Sequence, residues 1–190
     1  MTDPRNPRAE ITDRRNPLEP ERTVSVLSDR IEVSEAARLV RRIALADVAA
    51  VRLTVEPAGR ETQVVCRVTG PSGEIAFGSR SAKGAGWTDN ALEFRAALVA
   101  LHRALEPRWG EVAFLEGQTL GFRLAMTAAG VAVAAAAAGF AGYMMIVRES
   151  ALLGLIGLPF AVAGGYLAWL FRPGRPAPYD PAGLVKRFGG

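Results

Sequence analysis

The chain has 190 residues, of which 49% are hydrophobic and 22% are charged, and its formal net charge is +4. Residues 1–21 hold four Arg against five acidic residues, residues 22–117 hold thirteen Lys and Arg against twelve, and residues 118–190 hold six against two. The positive charge therefore belongs to the C-terminal part, and the balanced central region argues against nucleic-acid binding. A basic flank beside apolar segments indicates a membrane surface instead.

The inventory of reactive side chains excludes several classes of site. Because Cys66 is the only cysteine and His102 the only histidine, an intramolecular disulfide is excluded, and multi-histidine metal sites and Ser-His-Asp triads are nearly excluded. We expect Cys66 to be a buried thiol and His102 to be exposed on a helix, paired weakly with Glu106. The sequence therefore predicts no catalytic residues, no metal, no cofactor and no enzymatic activity.

The first 21 residues are rich in proline and charge. The segment TDPRNPRAE from Thr2 is echoed by TDRRNPLEP from Thr12. Such a composition buries too little apolar surface to offset the entropy cost of ordering, so it predicts a disordered tail over 1–21. The N-terminus also lacks the apolar segment of a signal peptide.

From Arg22 the hydrophobic pattern has a period of two, which is typical of strands. A tight turn is predicted at Asp29-Arg30 and another at Pro57–Arg60, with a short LADV turn after Ala44. About six antiparallel strands are predicted, at a spacing that suits a small barrel or sandwich. They comprise TVSVLS (23–28), IEV (31–33), LVRRIA (39–44), AAVRLTVE (49–56), TQVVCRVTG (62–70) and EIAFGS (74–79).

The pattern then becomes helical. Asn90 and Glu93 have the spacing of a capping box, and Pro107 ends the predicted helix. One apolar stripe, which would close the barrel, recurs every three or four residues: Ala91, Phe94, Leu98, Leu101 and Leu105.

The glycine-rich segment GSRSAKGAGW (78–87) lies between the last strand and this helix. Lys83 precedes Gly84 instead of following a glycine, so the segment is not a phosphate-binding P-loop. Two interpretations stay open: an ordinary surface loop, or a loop in which Arg80 and Lys83 contact an anion. Trp87 is expected to cover the barrel mouth or to pack on the helix.

The meandering strands, the segment RRIALADVAAVRL (41–53) and the single closing helix resemble bacterial pleckstrin-homology-like (PH-like) domain membrane proteins. The resemblance implies an α+β fold, with a small antiparallel PH-like barrel or sandwich over 22–107 closed by one amphipathic helix. A different small barrel or a split sandwich is the alternative. Related eukaryotic domains bind phosphoinositides through basic residues in a long first hairpin loop; with Asp29-Arg30 as the first turn, we expect that site to be absent.

Two apolar segments follow the predicted domain. After a connector over 108–123, the segments 124–147 and 151–171 are each long enough to cross a hydrocarbon core of about 30 Å. Their short connection predicts a transmembrane helical hairpin, and a Pro/Gly-rich basic tail that is extended along the membrane surface is expected over 172–190. Trp109 and Phe114 are expected at the membrane surface.

Small residues recur every fourth position in both segments, which favours close helix packing in lipid. The predicted packing residues are Gly130, Ala134, Ala138 and Gly142 in the first segment and Gly157, Ala161 and Gly165 in the second.

The distribution of Lys and Arg predicts the orientation. Arg148 in the turn is offset by Glu149, whereas both flanks of the hairpin are basic. The positive-inside rule then predicts a bacterial inner-membrane protein with both termini in the cytoplasm.

These features predict a membrane-anchored, non-enzymatic scaffold that presents its cytoplasmic domain to a partner protein or to a second copy. One alternative is an anionic-lipid-responsive protein that binds headgroups through Arg172, Arg175, Lys186 and Arg187. The other is an accessory subunit of a membrane enzyme or transporter complex. Tyr179 is the one recognition residue that the tail suggests.

Overall fold

The computed structural model describes residues 7–84, 86–174 and 176–189. It is an α+β structure with antiparallel sheets followed by two long apolar helices that pack together. The chain forms two compact units, one of Met1–Gly117 with Ala177–Gly190 and the other of Gln118–Pro176. The first is called the β unit below, and the second the helical hairpin.

The β unit begins with a four-stranded antiparallel meander in which each strand pairs with the next along the chain. The predicted alternation is confirmed here, because Val24, Val26, Ile31 and Val33 all point into the core. The strands are β1 (Ala9–Asp13), β2 (Arg22–Val26), β3 (Arg30–Glu35) and β4 (Arg38–Ala44).

Strand β1 lies inside the segment predicted to be disordered, so that prediction is wrong for Ala9–Asp13. Ile11 is 1% exposed and packs in the core, and Asp13 is fully buried. The side chain of Asn90 donates to the carbonyl of Thr12 at 2.9 Å, which ties the strand to the start of the helix. Ile11 and the partly buried Ala9 suffice because backbone pairing with β2 and these polar contacts hold the strand in register.

The first hairpin is consequently β1–β2, and its loop covers residues 14–21 instead of the predicted two-residue turn. Asp29 lies in the β2–β3 turn, where the N–H of Leu27 donates to the carbonyl of Arg30. The inference that a long first hairpin loop is missing is therefore wrong. Within the true loop, Arg15 turns inward to form an ion pair with Glu56.

Three more antiparallel strands follow a short 3-10 turn at Leu45–Asp47, as the LADV pattern predicts. They are β5 (Ala50–Ala58), β6 (Glu61–Gly70) and β7 (Gly73–Gly78). The glycine-rich segment, predicted to be a loop, instead forms a separate two-stranded hairpin of β8 (Arg80–Lys83) and β9 (Gly86–Asp89). Gly84 supports that turn with a φ of +58°, a conformation that glycine adopts without strain. No closed barrel forms among the described residues.

Helix α1 (Ala91–Ala104) packs the predicted apolar stripe against the core. Phe94, Leu98, Leu101 and Leu105 are buried, and the rings of Phe77 and Phe94 lie 5.6 Å apart. The predicted capping box does not form: Asn90 bonds to β1, and the carboxylate of Asp89 accepts from the N–H of Ala91.

The segment predicted as a juxtamembrane connector contributes to the core instead. Strand β10 (Ala113–Glu116) pairs in parallel with β5, which extends the second sheet. Phe114 is 6% exposed, and the indole N–H of Trp109 donates to the carbonyl of His102 at 3.1 Å. The expectation that both aromatic residues lie at a membrane surface is therefore wrong, because the long-range pairing with β5 draws them inward.

The helical hairpin consists of α2 (Leu120–Ile146) and α3 (Ala151–Leu170), close to the two predicted apolar segments. The chain then returns to the β unit as β11 (Ala177–Pro178), which pairs with β10, and as α4 (Pro181–Phe188). The prediction of an extended tail over 172–190 is therefore wrong for the residues of β11 and α4. Asp180 starts α4 by accepting hydrogen bonds from the N–H groups of Ala182 and Gly183.

Candidate functional site

The helices α2 and α3 approach so closely that only glycine fits at their crossing points. A Cβ atom placed on Gly130 would lie 2.6 Å from the nitrogen of Ala168 and 2.7 Å from the carbonyl oxygen of Gly164. A Cβ on Gly164 would lie 2.6 Å from the nitrogen of Ala134. The two backbones are therefore in direct contact. Such contact increases the dispersion attraction between the helices, which is what favours helix association in lipid, where the hydrophobic effect does not contribute.

The same packing continues toward the turn of the hairpin. A Cβ on Gly157 would lie 2.8 Å from the carbonyl oxygen of Ala137, and one on Gly154 would meet the side chain of Met145 at 2.5 Å. Ala141 is buried between these two glycines. The contact thus runs along most of both helices.

The structure brings together some of the predicted packing residues and leaves others outside. Gly130, Ala134, Gly157 and the half-buried Ala161 lie on the contact side. Ala138 is exposed, and nothing lies within 4 Å of a Cβ built on Gly142 or Gly165. The observed spacing on α2 is 130, 134, 137 and 141, because steps of four residues drift about 40° each around the helix whereas alternating steps of four and three stay on one side.

The outer surface of the hairpin is apolar. Both helices are long and apolar enough to cross a membrane, and only 11% and 17% of their most apolar windows are buried. Large exposed side chains include Phe140, Leu155, Phe160 and Val162. A helix in a soluble core would bury such groups, so their exposure favours a lipid environment.

Polar contacts of the described residues are found near the ends of the hairpin. The hydroxyl of Thr127 donates to the carbonyl of Phe171 at 2.8 Å, which satisfies one of the free carbonyls at the end of α3. Arg123 lies beside Gly174, and the rings of Phe122 and Phe171 meet edge to face at 5.7 Å. These contacts hold the beginning of α2 to the end of α3.

In the β unit, the returning C-terminal segment docks through a buried aromatic cluster. The rings of His102, Phe114 and Tyr179 lie 5.5 to 5.8 Å from one another. His102 is fully buried, so its predicted exposure and its pairing with Glu106 are wrong. Sequence reasoning missed this cluster because Tyr179 is 77 residues away and supplies the polar partner that makes burial of the imidazole tolerable.

The hydrogen bonds of His102 determine its tautomer. Nδ1 lies 2.7 Å from the carbonyl oxygen of Leu98, which only accepts, so Nδ1 carries the proton. Nε2 then accepts from the Tyr179 hydroxyl at 2.8 Å. Burial lowers the pKa of His102, and burial likewise raises the pKa of Tyr179, so both groups stay neutral near pH 7.

Helix α4 completes this docking by packing on α1. The guanidinium carbon of Arg95 lies 5.5 Å from the centre of the Phe188 ring, and Arg103 donates to the carbonyl of Gly189 at 2.8 Å. Of the predicted headgroup-binding residues, Lys186 and Arg187 are exposed on α4, Arg172 is exposed just after α3, and Arg175 lies outside the described residues.

A second, partly buried polar cluster joins the β1–β2 loop to strands β5, β6 and β7. Glu56 accepts from Arg15 and Arg67, each at 2.8 Å, and Arg67 also pairs with Glu74 at 2.5 Å. Although burial raises the pKa of Glu56, hydrogen bonds from Arg67 and Thr54 outweigh it and lower the pKa, so this carboxylate stays ionised.

Asp13 lies near this cluster, and its carboxyl group is strongly perturbed. Burial raises its pKa to about 6, against the opposing charges of Arg15 and Arg22. Oδ2 accepts from the N–H of Gly78 at 3.1 Å, whereas Oδ1 has no hydrogen-bond partner among the described residues. Ionisation of Asp13 therefore destabilises the β unit at neutral pH.

The candidate anion-binding residues of the glycine-rich segment do not converge. Arg80 forms an ion pair with Glu61, and Lys83 is exposed next to the turn. Trp87 lies against Gly59, at 3.1 Å from a Cβ built there, so it covers the β5–β6 turn. Cys66 is fully buried as predicted, and burial raises the pKa of its thiol. Within the described residues, no group of three or more His, Cys, Asp and Glu residues is arranged to hold a metal.

Searches against protein-family models, curated proteins and solved structures find no match for this chain.

Proposed function

We propose that the chain is a membrane-anchored, non-enzymatic interaction protein that presents a PH-like domain to a partner protein. The observation that carries the proposal is the helical hairpin, in which Gly130 and Gly164 pack backbone against backbone while large apolar side chains face outward. A hairpin that satisfies its own packing in lipid acts as an anchor. The β unit is then the part that meets other molecules.

The order of elements in the β unit supports the PH-like interpretation. A four-stranded antiparallel meander is followed by three further antiparallel strands and then by one helix that covers the core. This chain adds β10 and β11 beside β5, so the sheet is extended by the segments that enter and leave the hairpin. Bacterial inner-membrane location with cytoplasmic termini is part of the same proposal, supported by the basic flanks of the hairpin.

Strand β4 is the edge that best suits a partner. It is the last strand of the first sheet, and residues 38–42 are all exposed. Leu39 and Val40 are 48% and 54% exposed and lie between Arg38 and Arg41. An exposed strand with apolar and basic side chains suits the addition of an extended, acidic peptide of the partner.

The proposal is tested by affinity purification of the tagged full chain from its native membranes in mild detergent. We expect one stoichiometric partner with the wild-type chain, and loss of that partner with L39D/V40D. The matched control is Leu92→Asp, which alters a leucine on α1 that is 77% exposed and leaves β4 intact. Recovery of the chain alone, or retention of the partner by L39D/V40D, would contradict the proposal.

A second candidate function, an accessory subunit of a membrane complex, is favoured by one observation. Gly142 and Gly165 belong to regularly spaced small residues but face open space instead of the partner helix. They offer a surface on which a foreign helix packs closely. If this function is correct, Gly142→Leu releases a membrane partner while the β4 variant L39D/V40D retains it.

A further inference from the structure

A cleft between α1, α4 and the start of β1 is lined by three arginines and an apolar wall. Its volume is about 490 Å³, and it is bordered by Arg8, Arg95, Arg103, Val99, Phe188 and Gly189. Arg95, Val99 and Arg103 are spaced four residues apart, so they share one face of α1. Arg8, the residue that directly precedes β1, also borders the cleft.

The positive charge of this cleft is not neutralised within the described residues. Arg8, Arg95 and Arg103 take part in no ion pair, and none of the described side chains that line the cleft is acidic. Elsewhere in the β unit Arg15, Arg67 and Arg80 each pair with a glutamate. Three guanidinium groups that border one cleft repel one another, and an anion bound between them removes that repulsion.

Two of the three guanidinium groups are also held in position. Arg95 lies over the ring of Phe188, with its central carbon 5.5 Å from the ring centre. Arg103 donates one hydrogen bond to the carbonyl of Gly189, and the other N–H groups of its guanidinium can still donate to a ligand. A planar guanidinium that is held by stacking and by one hydrogen bond presents a fork of donors, the geometry that suits phosphate oxygens.

The apolar wall distinguishes this cleft from a site for a small free anion. Val99 and the partly exposed Phe188 lie beside the arginines, while Lys186 and Arg187 add positive charge on α4. Cationic groups next to apolar surface suit a molecule that joins a phosphate to an apolar body. We propose that this cleft binds the phosphate group of an acidic phospholipid, independently of any protein partner at β4.

The test is titration of the full chain, purified in a neutral detergent, by isothermal calorimetry. The probes are dihexanoyl phosphatidylglycerol, dihexanoyl phosphatidylcholine and inorganic phosphate. We expect phosphatidylglycerol to bind the wild-type chain and its affinity to fall about a hundredfold in R8Q/R95Q/R103Q. Each cationic side chain that is lost should weaken binding about fivefold, and the three factors multiply. The control R52Q/R60Q/K83Q removes three charges elsewhere in the β unit and should bind like the wild type.

A further variant separates loss of binding from loss of structure. R8K/R95K/R103K keeps the charges and the aliphatic stems but lacks the planar fork, so we expect an affinity between those of the wild type and the glutamine variant. Protection of the buried Cys66 from a thiol reagent reports whether each variant is folded. Equal affinity of the wild type and a folded R8Q/R95Q/R103Q variant would overturn the proposal. Equal binding of inorganic phosphate, or of phosphatidylcholine, would overturn the assignment to an acidic lipid.

Discussion

At the scale of single residues, His102 shows how a distant partner decides the state of a titratable group. Its Nδ1 faces the carbonyl of Leu98 and its Nε2 faces the hydroxyl of Tyr179. Because the chain has one histidine, the imidazole signals in a 15N NMR spectrum of the labelled full chain come from this residue alone. We expect the Nδ1–H tautomer at pH 7 and half-protonation at a pH below 6.5, since burial lowers the pKa. An Nε2–H tautomer would contradict the assignment.

The hydroxyl of Tyr179 is expected to stabilise the β unit through this contact. Tyr179→Phe leaves Nε2 of the buried His102 without a donor, so the free energy of unfolding should fall by about 1–3 kcal/mol. The measurement is the denaturant dependence of Cys66 labelling, because this buried thiol reacts only when the β unit opens. Tyr143→Phe, at an exposed position on α2, serves as the control and should have no effect.

Asp13 is expected to make the stability of the β unit depend on pH. Its pKa is 3.8 in the unfolded chain and about 6 in the folded one, so between these values the folded state binds more protons. Stability therefore falls as the pH rises from about 4 to 6, and the cost above pH 6 reaches about 3 kcal/mol. Asp13→Asn keeps an oxygen for the N–H of Gly78 and cannot ionise.

The Asp13→Asn variant should accordingly open less often than the wild type at pH 8, and the difference should shrink toward pH 4. Labelling rates of Cys66, compared between the two proteins at each pH, measure this directly. The comparison cancels the contribution of His102, which acts in the opposite direction because its lowered pKa makes stability fall as the pH drops below 6.5. A variant that is less protected than the wild type at pH 8 would show that ionised Asp13 stabilises the fold.

At the scale of elements, the packing of α2 on α3 predicts that glycines of similar appearance respond differently to substitution. Gly130→Leu places a side chain where the backbone of α3 lies and should separate the helices, whereas Gly142→Leu enters open space. Cross-linking of F122C/F171C, introduced in a Cys66→Ser background, reports the separation, since these rings lie 5.7 Å apart. We expect efficient cross-linking with Gly142→Leu and little with Gly130→Leu; equal efficiency would contradict the described contact.

The elements that could be predicted from the sequence are those whose pattern is local. Strands β2 to β7, helix α1 and the two apolar helices carry a clear period or length within their own residues. Strand β1 and helix α4 are short, and their formation depends on pairing with β2 and on docking against α1. Strand β10 depends on a parallel neighbour about 60 residues earlier, and no local pattern encodes such a contact.

The candidate sites also divide into features with a local sequence pattern and features that depend on contacts between distant residues. The apolar character of the hairpin is local and was predictable, but the choice between Gly142 and Ala141 as a contact depends on a small angular drift that accumulates along the helix. The three-arginine cleft joins Arg8, Arg95 and Phe188, which are distant in sequence and meet only in the folded β unit. Its residues carry no motif that a reading of the chain would single out.

At the scale of the whole molecule, the β unit contains chain segments that precede the hairpin in the sequence and segments that follow it. Strand β10 precedes α2 and strand β11 follows α3, yet the two pair with each other at Glu116 and Ala177. A chain that crosses a membrane between these strands must cross it an even number of times for the pair to form. If the hairpin crosses a membrane, this pairing requires that the segments before and after it lie on the same side.

This requirement is tested most directly by the accessibility of single introduced cysteines in intact bacterial spheroplasts, in a Cys66→Ser background. The exposed positions are Asp29 in the β unit before the hairpin, Glu149 in its turn and Ala182 on α4. We predict that a membrane-impermeant maleimide labels E149C from outside and labels D29C and A182C only after permeabilisation. Labelling of D29C and A182C from opposite sides, or of all three from one side, would contradict a membrane-spanning hairpin that anchors a cytoplasmic β unit.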